Sequence, residues 1–151
     1  MIAFRKATLL DLPVLVSLDR EYFPDTAWPA EQFRAEISGK TRNFLIAESE
    51  GKIIGYASAL LPSVGGLADL MTIAINPDFR RQGIAQRLIK ELENWAGDQG
   101  ADSMMLEVDI ENQNAIALYT KLGYEKLNIR NNYYRSEEHT SELQSHSDLV
   151  C

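Results

Sequence analysis

The chain has 151 residues, of which 45% are hydrophobic and 25% charged, and its formal net charge is −7 at pH 7. This composition is typical of one globular domain with an apolar core, and the negative charge argues against nonspecific binding to a nucleic-acid backbone. No apolar run approaches the roughly 20 residues of a membrane span, and the start lacks the pattern of a secretory signal. We therefore expect a cytoplasmic protein without a membrane or nucleic-acid partner, and a monomer.

The distribution of histidine and cysteine limits the chemistry. Both histidines and the only cysteine lie near the C-terminus, at His139, His146 and Cys151. Residues 1–134 therefore cannot supply a Ser-His-Asp or Cys-His mechanism, and they lack the usual zinc ligands. Proton transfer in that part must use Glu, Asp, Tyr, Lys or water. We expect no metal cofactor.

The first half of the chain predicts strands and two short helices. Residues 2–8 alternate in hydrophobicity and predict a strand, and Thr8 is placed to cap the helix that follows. A second short helix is predicted near residues 30–37. Residues 43–60 predict two strands that meet at a tight turn containing Gly51.

The second half alternates strands with helices. A mostly apolar strand over residues 67–75 is followed by a helix, and a second buried strand covers residues 103–109. Asn112 is placed to cap the next helix and Gly123 to end it, before a strand over residues 124–130. The order β-α-α-β-β-β-α-β-α-β predicts a single α/β, or α+β, layered domain with a mixed, mostly antiparallel sheet flanked by helices.

The stretch "NPDFRRQGIAQRLI" places two arginines and a glycine just before a helix. Backbone N–H groups at a helix start lack helical partners, and the helix dipole makes that end positive. Gly83 leaves room for close approach, Ala85 stays small, and Arg80 and Arg81 add positive charge. This pattern predicts a phosphate site, although a helix start with chance arginines is the alternative. It is neither a Walker loop nor a GxGxxG motif.

This turn and its flanking strands resemble the GNAT family of acyl-CoA N-acyltransferases. Arg80-x-x-Gly83-x-Ala85 matches the family's pyrophosphate-binding signature, and the resemblance covers nearly all of residues 1–134. Within the family, "MMLEVDIENQNAIALYTKLGYEKLNIRNNYY" is similar to the bacterial enzymes that acetylate the N-terminal alanine of ribosomal protein S18. The resemblance implies acetyl-CoA as co-substrate and the N-terminus of an S18-like ribosomal protein as acceptor.

The resemblance also implies how the cofactor is held. The pantetheine arm would pair with a strand edge as an added strand, the pyrophosphate would lie on the amides of the turn, and Asn112 would contact the arm. The implied cofactor-binding residues are Ile73, Ala74, Ile75, Arg80, Arg81, Gln82, Gly83, Ile84, Ala85 and Asn112.

Two side chains are implied as proton carriers. Glu107 would accept the proton of the attacking α-amine through water, because an N-terminal amine of pKa about 8 must be neutral to attack a thioester. Tyr119 would donate a proton to the departing CoA thiolate, which suits a hydroxyl of pKa about 10. A strand-end salt bridge is the alternative role for Glu107, and core packing is the alternative for Tyr119.

The resemblance also implies which residues contact the acceptor, and two alternative functions remain open. The implied substrate-binding residues are Tyr22, Phe23, Trp28, Asp69, Tyr133 and Tyr134. The first three could instead pack a helix pair onto the sheet. One alternative function is acetylation of another amine, such as a lysine, a polyamine or a small molecule. The other is an acyl-CoA-binding module without turnover, against which the presence of both Glu107 and Tyr119 argues.

The C-terminal sequence "RSEEHTSELQSHSDLVC" differs in character from the rest. A common short-read library adapter, translated in frame, encodes residues 135–145 as written. We therefore expect residues 135–151 to be a non-native, disordered tail, with the domain confined to residues 1–134. The final strand of the family would then be missing, which predicts lower stability and loss of activity because a strand edge loses its partner.

Overall fold

The computed structural model describes residues 1–62, 66–109, 112–129 and 140–145. These ranges contain seven strands and four helices, and the predicted order of elements is confirmed as far as the sixth strand. The elements are β1 (Ile2–Lys6), α1 (Leu12–Tyr22), α2 (Ala30–Ser38), β2 (Arg42–Ser49), β3 (Lys52–Leu60), β4 (Leu67–Ile75), α3 (Ile84–Asp98), β5 (Ser103–Asp109), α4 (Gln113–Lys121), β6 (Tyr124–Ile129) and β7 (Thr140–Ser145).

The chain forms two compact units. The first comprises Met1–Leu60 and Met71–Leu92, and the second comprises Leu61–Leu70 and Glu93–Cys151. Both β4 and α3 therefore contribute residues to each unit. Among the described residues, no helix combines the length and apolar character required to cross a lipid bilayer.

In the first unit the strands hydrogen-bond in the order β1-β2-β3-β4. The β1–β2 and β2–β3 pairs are antiparallel, and the predicted tight turn between β2 and β3 is confirmed by positive φ angles at Glu50 and Gly51. Apolar faces of α1 and α2 pack with β2 and β3, because their buried residues recur at helical and strand spacing. The core of this unit consists of Ala7, Leu12, Leu15, Val16, Phe33, Ile37, Phe44, Ile46, Tyr56 and Ala74.

The cap predicted at Thr8 starts a short turn before α1. The backbone N–H of Thr8 donates to Oδ2 of Asp11 at 2.8 Å, and Leu9–Asp11 form a 3-10 turn that leads into α1. Asp11 also pairs with Arg5, whose guanidinium lies 2.8 Å from its Oδ1. This ion pair lowers the pKa of the Asp11 carboxyl and ties β1 to the start of α1.

In the second unit the strands follow the order β4-β5-β7-β6. The parallel β4–β5 ladder contains only three residue pairs, from Leu67–Ser103 to Asp69–Met105. β7 is antiparallel to both of its neighbours. The predicted end of α4 is confirmed, because Gly123 has φ +99.

The expectation that the tail is disordered and that the final strand is missing is wrong for residues 140–145. This segment forms β7 between β5 and β6, and it pairs with both through register positions such as Glu107–Glu142 and Tyr124–Ser145. A strand in this position is held by backbone hydrogen bonds, which any residue except proline can supply. A segment without an apolar pattern can therefore occupy it. The adapter-like origin of the tail stays a prediction.

Candidate functional site

The turn that leads into α3 has the backbone geometry of an anion site. Asn76 caps a 3-10 turn over Pro77–Phe79 by accepting from the N–H of Asp78 at 2.8 Å. Arg81 and Gly83 then take positive φ angles of 64° and 78°. The first helical hydrogen bond runs from N of Arg87 to O of Gly83. The amides of residues 84–86 therefore precede the helical ladder, where they can meet an anion.

The side chains of this turn leave its mouth open. Arg80, Arg81 and Gln82 are exposed, and a Cβ placed on Gly83 would meet no atom within 4 Å. Neither arginine forms an ion pair with another described residue. The turn therefore carries two available positive charges beside the start of a 15-residue helix, whose dipole adds to the same sign.

The adjacent strand β4 offers backbone groups along part of one edge. Its ladder with β5 ends at the Asp69–Met105 pair, so within the described ranges residues 70–75 have no strand partner on that edge. On its other side β4 neighbours β3, and the N–H of Asn76 donates to O of Ile54 at 2.8 Å. Of the predicted pantetheine positions, Ala74 is buried while Ile73 and Ile75 are half-buried.

Glu107 lies on β5 in the second unit and is exposed, whereas its neighbours Leu106 and Val108 are buried. This alternation follows from the period of two along a strand. No ion pair joins Glu107 to another described residue. The salt-bridge alternative therefore gains no support within the described ranges, and water can reach the carboxylate.

Asn112 caps α4, as its position in the sequence predicts. Its Oδ1 accepts from the N–H of Ala115 at 3.1 Å, and its backbone oxygen accepts from the N–H of Ile116. The cap uses one oxygen of the side-chain amide, and the Asn112 side chain is exposed. The N–H₂ group of the amide can therefore still serve a ligand.

Tyr119 is buried on α4 and has only 6% of its surface exposed. Burial raises the pKa of its phenol to about 12, which keeps the hydroxyl protonated at neutral pH. Its ring packs against that of Tyr124, with centroids 6.1 Å apart, and the Tyr124 hydroxyl donates to Glu93 at 2.7 Å. Tyr119 thus contributes to packing and also retains a proton that it can donate.

The predicted acceptor-side residues fall into three groups. Tyr22, Phe23 and Trp28 are half-buried and pack against the core of the first unit, as the packing alternative expects. Asp69 is half-buried on β4 and opposite Met105 of β5. Tyr133 and Tyr134 lie outside the described residues.

Tyr22 lies within electrostatic range of the turn at Arg80. Burial and the charge of Glu21 raise the pKa of the Tyr22 phenol, and the charge of Arg80 acts in the opposite direction. The Tyr22 hydroxyl is buried without a hydrogen-bond partner among the described residues. The charge of Arg80 in the turn therefore acts on the phenol at the end of α1.

Sequence reasoning did not identify two buried polar residues of the first unit. Asp19 is 2% exposed and Tyr56 is fully buried, and the Tyr56 hydroxyl donates to Oδ1 of Asp19 at 2.5 Å. Asp19 follows Leu15 by four residues and so lies on the apolar face of α1. A carboxylate at that position is a signal of a buried polar partner.

The predicted site residues are thus distributed over both units, and the contacts of each group are described within its own unit. The first unit assembles the turn, the free edge of β4 and the aromatic residues after α1. The second unit holds Glu107, Asn112 and Tyr119. Within the described ranges, no group of three or more His, Cys, Asp or Glu side chains is arranged to hold a metal ion.

The structure is thus that of an α/β protein with a parallel β4–β5 pair and a long helix α3 that begins at an open amide turn, and a turn of this kind can hold an anion. The sequence of residues 12–124 matches the family model described as Acetyltransferase (GNAT) family. Because this match covers most of the chain, the chain belongs to the GNAT acetyltransferase family.

Three similar proteins, two of them named as N-acetyltransferases, agree with this assignment. The [ribosomal protein bS18]-alanine N-acetyltransferase of Escherichia coli strain K12 is 32% identical over 126 residues, which cover 82% of this chain and 81% of that protein. The N-alpha-acetyltransferase RimI of Mycobacterium tuberculosis is 32% identical over 113 residues, covering 74% of this chain and 70% of that protein. An uncharacterized protein of Mycobacterium leprae, ML0378, is 31% identical over 84% of this chain, which spans only 35% of that longer protein.

Solved structures agree with the fold. The crystal structure of the E. coli ribosomal-protein-S18-alanine N-acetyltransferase superposes with a TM-score of 0.82 at 25% identity, covering 100% of this chain and 97% of that one. Arabidopsis thaliana NAA60 in complex with acetyl-CoA superposes with a TM-score of 0.77 at 22% identity, over 95% of this chain and 96% of that one. The predicted family and fold class are therefore confirmed.

Proposed function

We propose that this protein transfers the acetyl group of acetyl-CoA to the α-amine of a protein N-terminus, and that its acceptor is the N-terminal alanine of ribosomal protein S18. The observation that supports acetyl-CoA as the acetyl donor is the open amide turn from Arg80 to Ala85. The acceptor half is supported by relatives whose names specify that reaction. With a ribosomal acceptor, the reaction would take place in the cytoplasm, and we propose that location too.

The cofactor would bind along the first unit. Its pyrophosphate would accept hydrogen bonds from the turn's amides, and Arg80 and Arg81 would balance its negative charge. Its pantetheine amides would pair with the unoccupied edge of β4 at residues 73–75, as an added strand does. The resemblance to the family also assigns Asn112 to the pantetheine arm, and the N–H₂ group of its side-chain amide could supply that contact.

The reaction would be a direct attack of the amine on the thioester. Glu107 would accept the amine's proton through a water molecule, and the neutral nitrogen would add to the thioester carbonyl. The carbon–sulfur bond would then break, and Tyr119 would give its proton to the leaving sulfur. The proton still carried by the acetylated nitrogen would pass through water to the tyrosinate, which restores the neutral phenol. The products would be an acetylated N-terminus and CoA. Tyr22, Phe23, Trp28 and Asp69, together with Tyr133 and Tyr134, would contact the acceptor peptide.

Two measurements test the proposal in order. Thermal melts with and without acetyl-CoA test binding, because a ligand that binds the native state must raise the melting temperature. A cooperative melt that saturating acetyl-CoA does not move would contradict the cofactor assignment. CoA lacking its acetyl group should also stabilise the protein, since the turn binds the pyrophosphate and not the acetyl group.

Matched peptides then test the acceptor. We expect mass spectrometry to find acetylation at the α-amine of a peptide with the S18 N-terminal sequence, and less with peptides that differ only in the first residue. The control is the same peptide with a blocked N-terminus and an internal lysine. Transfer to that lysine would favour a different amine substrate. Acetyl-CoA binding without transfer to any amine would favour a module without turnover.

A further inference from the structure

A buried carboxylate in the first unit joins three parts of the chain. Oδ2 of Asp19 accepts from the backbone N–H of Trp28 at 2.8 Å, and Oδ1 accepts from the hydroxyl of Tyr56 at 2.5 Å. Asp19 belongs to α1, Tyr56 to β3, and Trp28 to the segment that precedes α2. This contact therefore connects a helix, the sheet and the loop over residues 23–29, here called the α1–α2 loop.

Burying the Asp19 carboxylate costs free energy that a contact on the surface would not cost. Removing a carboxylate from water is expensive unless its oxygens accept hydrogen bonds, and Asp19 is 2% exposed. Burial raises the pKa of the Tyr56 phenol, and the hydrogen bond to Asp19 raises it further. Tyr56 therefore stays a donor at neutral pH. Removing its hydroxyl would leave a buried acceptor without a partner.

Asp19 accepts hydrogen bonds from both ends of the α1–α2 loop. The backbone N–H of Phe23 donates to O of Asp19, and that of Thr26 donates to O of Phe23, which forms a turn. At the other end, the Trp28 N–H bond to Asp19 holds the chain just before α2. The carbonyl of Pro29 also accepts from the N–H groups of Gln32 and Phe33. The rest of the loop is irregular backbone, so its conformation depends on a few hydrogen bonds.

Aromatic rings pack around the hydrogen bond between Tyr56 and Asp19, which is here called the Asp19–Tyr56 anchor. The ring of Tyr56 stacks with that of Tyr22 at a centroid distance of 6.4 Å, and it also packs on Phe33. The Trp28 ring meets Phe33 edge-on at 5.3 Å. The rings of Tyr22 and Trp28 are thus set by a cluster whose polar member is the Tyr56–Asp19 pair.

We propose that Asp19 and Tyr56 are positioning residues for the acceptor peptide, because they fix the α1–α2 loop and its aromatic side chains in one arrangement. This inference rests on the proposed function, in which Tyr22, Phe23 and Trp28 contact the acceptor. Neither Asp19 nor Tyr56 belongs to the turn that would hold the cofactor. Their loss should therefore weaken acceptor recognition and leave acetyl-CoA binding unchanged.

The test compares Tyr56→Phe with Ser58→Ala. Both changes remove a buried hydroxyl from β3, but the Ser58 hydroxyl has no hydrogen-bond partner among the described residues. We expect Tyr56→Phe to raise the KM for the acceptor peptide about tenfold, as the loss of one hydrogen bond to a charged group would. The kcat at saturating peptide and the Kd for acetyl-CoA should match the unaltered protein. Ser58→Ala should change none of these values.

A fluorescence measurement tests the Asp19–Tyr56 anchor without relying on the proposed catalysis. In a Trp95→Phe background Trp28 is the only tryptophan, so acrylamide quenching of its fluorescence reports on the α1–α2 loop alone. Tyr56→Phe should increase this quenching, and Asp19→Asn should increase it to a similar extent. The double variant should increase it at least as much as Tyr56→Phe does, because Asp19 also accepts from the backbone N–H of Trp28. If Asp19→Asn does not fold, Tyr56→Phe still decides the outcome.

Each result has a defined meaning. Increased quenching together with a raised acceptor KM supports the proposal. Unchanged quenching contradicts the anchor, and increased quenching with unchanged acceptor kinetics contradicts the positioning role. A fall in kcat with equal loss of acetyl-CoA affinity would indicate general destabilisation and would overturn it. If the unaltered protein acetylates no N-terminal peptide, the proposed function and the positioning role both fail, while the quenching data still decide the anchor.

Discussion

Gly55 of β3 and Ile75 of β4 approach each other so closely that a Cβ on Gly55 would lie 2.8 Å from Cδ1 of Ile75. The same Cβ would lie 3.2 Å from the backbone oxygen of Ala74 and 3.6 Å from Cγ2 of Ile84. Gly55 therefore lets the end of β4 and the first residue of α3 pack against β3. In the proposed function, the backbone groups of these two segments bind the pantetheine arm and the pyrophosphate.

Replacing Gly55 with alanine should disturb this packing. We expect Gly55→Ala to lower the free energy of unfolding by about 1–3 kcal/mol, as overpacking does. It should also weaken acetyl-CoA binding, because the tip of Ile75 can turn aside while the backbone at Ala74 must give way to the new Cβ. Gly97→Ala, in α3, is the control: its Cβ meets open space, so it should be neutral or stabilise by up to about 1 kcal/mol. Chemical denaturation and calorimetric titration with acetyl-CoA would measure both effects. Equal values for the two variants would contradict this account of Gly55.

Gly83 and Gly51 provide a matched test of the anion turn. Their φ angles are +78° and +80°, and a Cβ on either would meet no atom within 4 Å. Alanine at either position should therefore cost a similar strain of about 1–2 kcal/mol. Only Gly83→Ala should also weaken acetyl-CoA binding, since its methyl group would stand where the pyrophosphate approaches. If both variants lost affinity equally, Gly83 would have no special role in binding.

Tyr119→Phe should separate catalysis from binding. Because burial raises the pKa of Tyr119 to about 12, its phenol stays protonated well above neutral pH. We expect no loss of kcat from its ionisation up to about pH 10. The Phe variant should lose about 10²-fold or more in kcat, as loss of a general acid does, with an unchanged Kd for acetyl-CoA. A variant with full activity would remove Tyr119 from the mechanism.

Glu36 should give the stability of the protein a specific pH dependence. It is fully buried, its Oε2 contacts Arg42 and Gln32, and its Oε1 has no partner among the described residues. Burial raises its pKa above the ordinary value of 4.5. The folded state therefore binds this proton more tightly than the unfolded state does. The stability that Glu36 contributes is complete below pH 4.5 and is lost as the pH rises through the folded pKa.

Denaturation curves for Glu36→Gln across the acid to neutral range would test this linkage. The variant should show a smaller decline in stability with rising pH than the unaltered protein. Glu31→Gln is the control, because Glu31 lies on the same helix but is exposed. The same decline in the unaltered protein and in Glu36→Gln would show that Glu36 does not cause it.

Local patterns in the sequence predicted the elements and the turn closely. The predicted limits of β4 and β5 coincide with the observed strands, and α4 begins directly after its cap at Asn112. These features depend on hydrophobic period, capping and glycine conformations, which are properties of neighbouring residues. The resemblance to the GNAT family was likewise carried by local motifs, the signature from Arg80 to Ala85 and the strand-and-helix stretch that begins at Met104.

Contacts between distant residues could not be read in the same way. Asp19 and Tyr56 are separated by 37 positions, and no local pattern indicates that one donates to the other. The sequence predicted Tyr22, Phe23 and Trp28 as acceptor contacts or as packing residues. Only the structure shows that Tyr22 stacks on Tyr56 and that the backbone N–H of Trp28 donates to Asp19. β7 was missed because its residues lack an apolar alternation, while its position is held by backbone bonds to β5 and β6.

The sequence by itself therefore determined the family, the order of elements through β6 and the turn before α3, since each is encoded by residues close together in the chain. Only the tertiary structure decided which polar residues are buried together, how closely Gly55 approaches Ile75, and where the last strand lies. Those outcomes depend on packing and on backbone pairing between segments that are far apart in sequence. The free energy of such contacts is set by burial and geometry, which no single stretch of the chain contains.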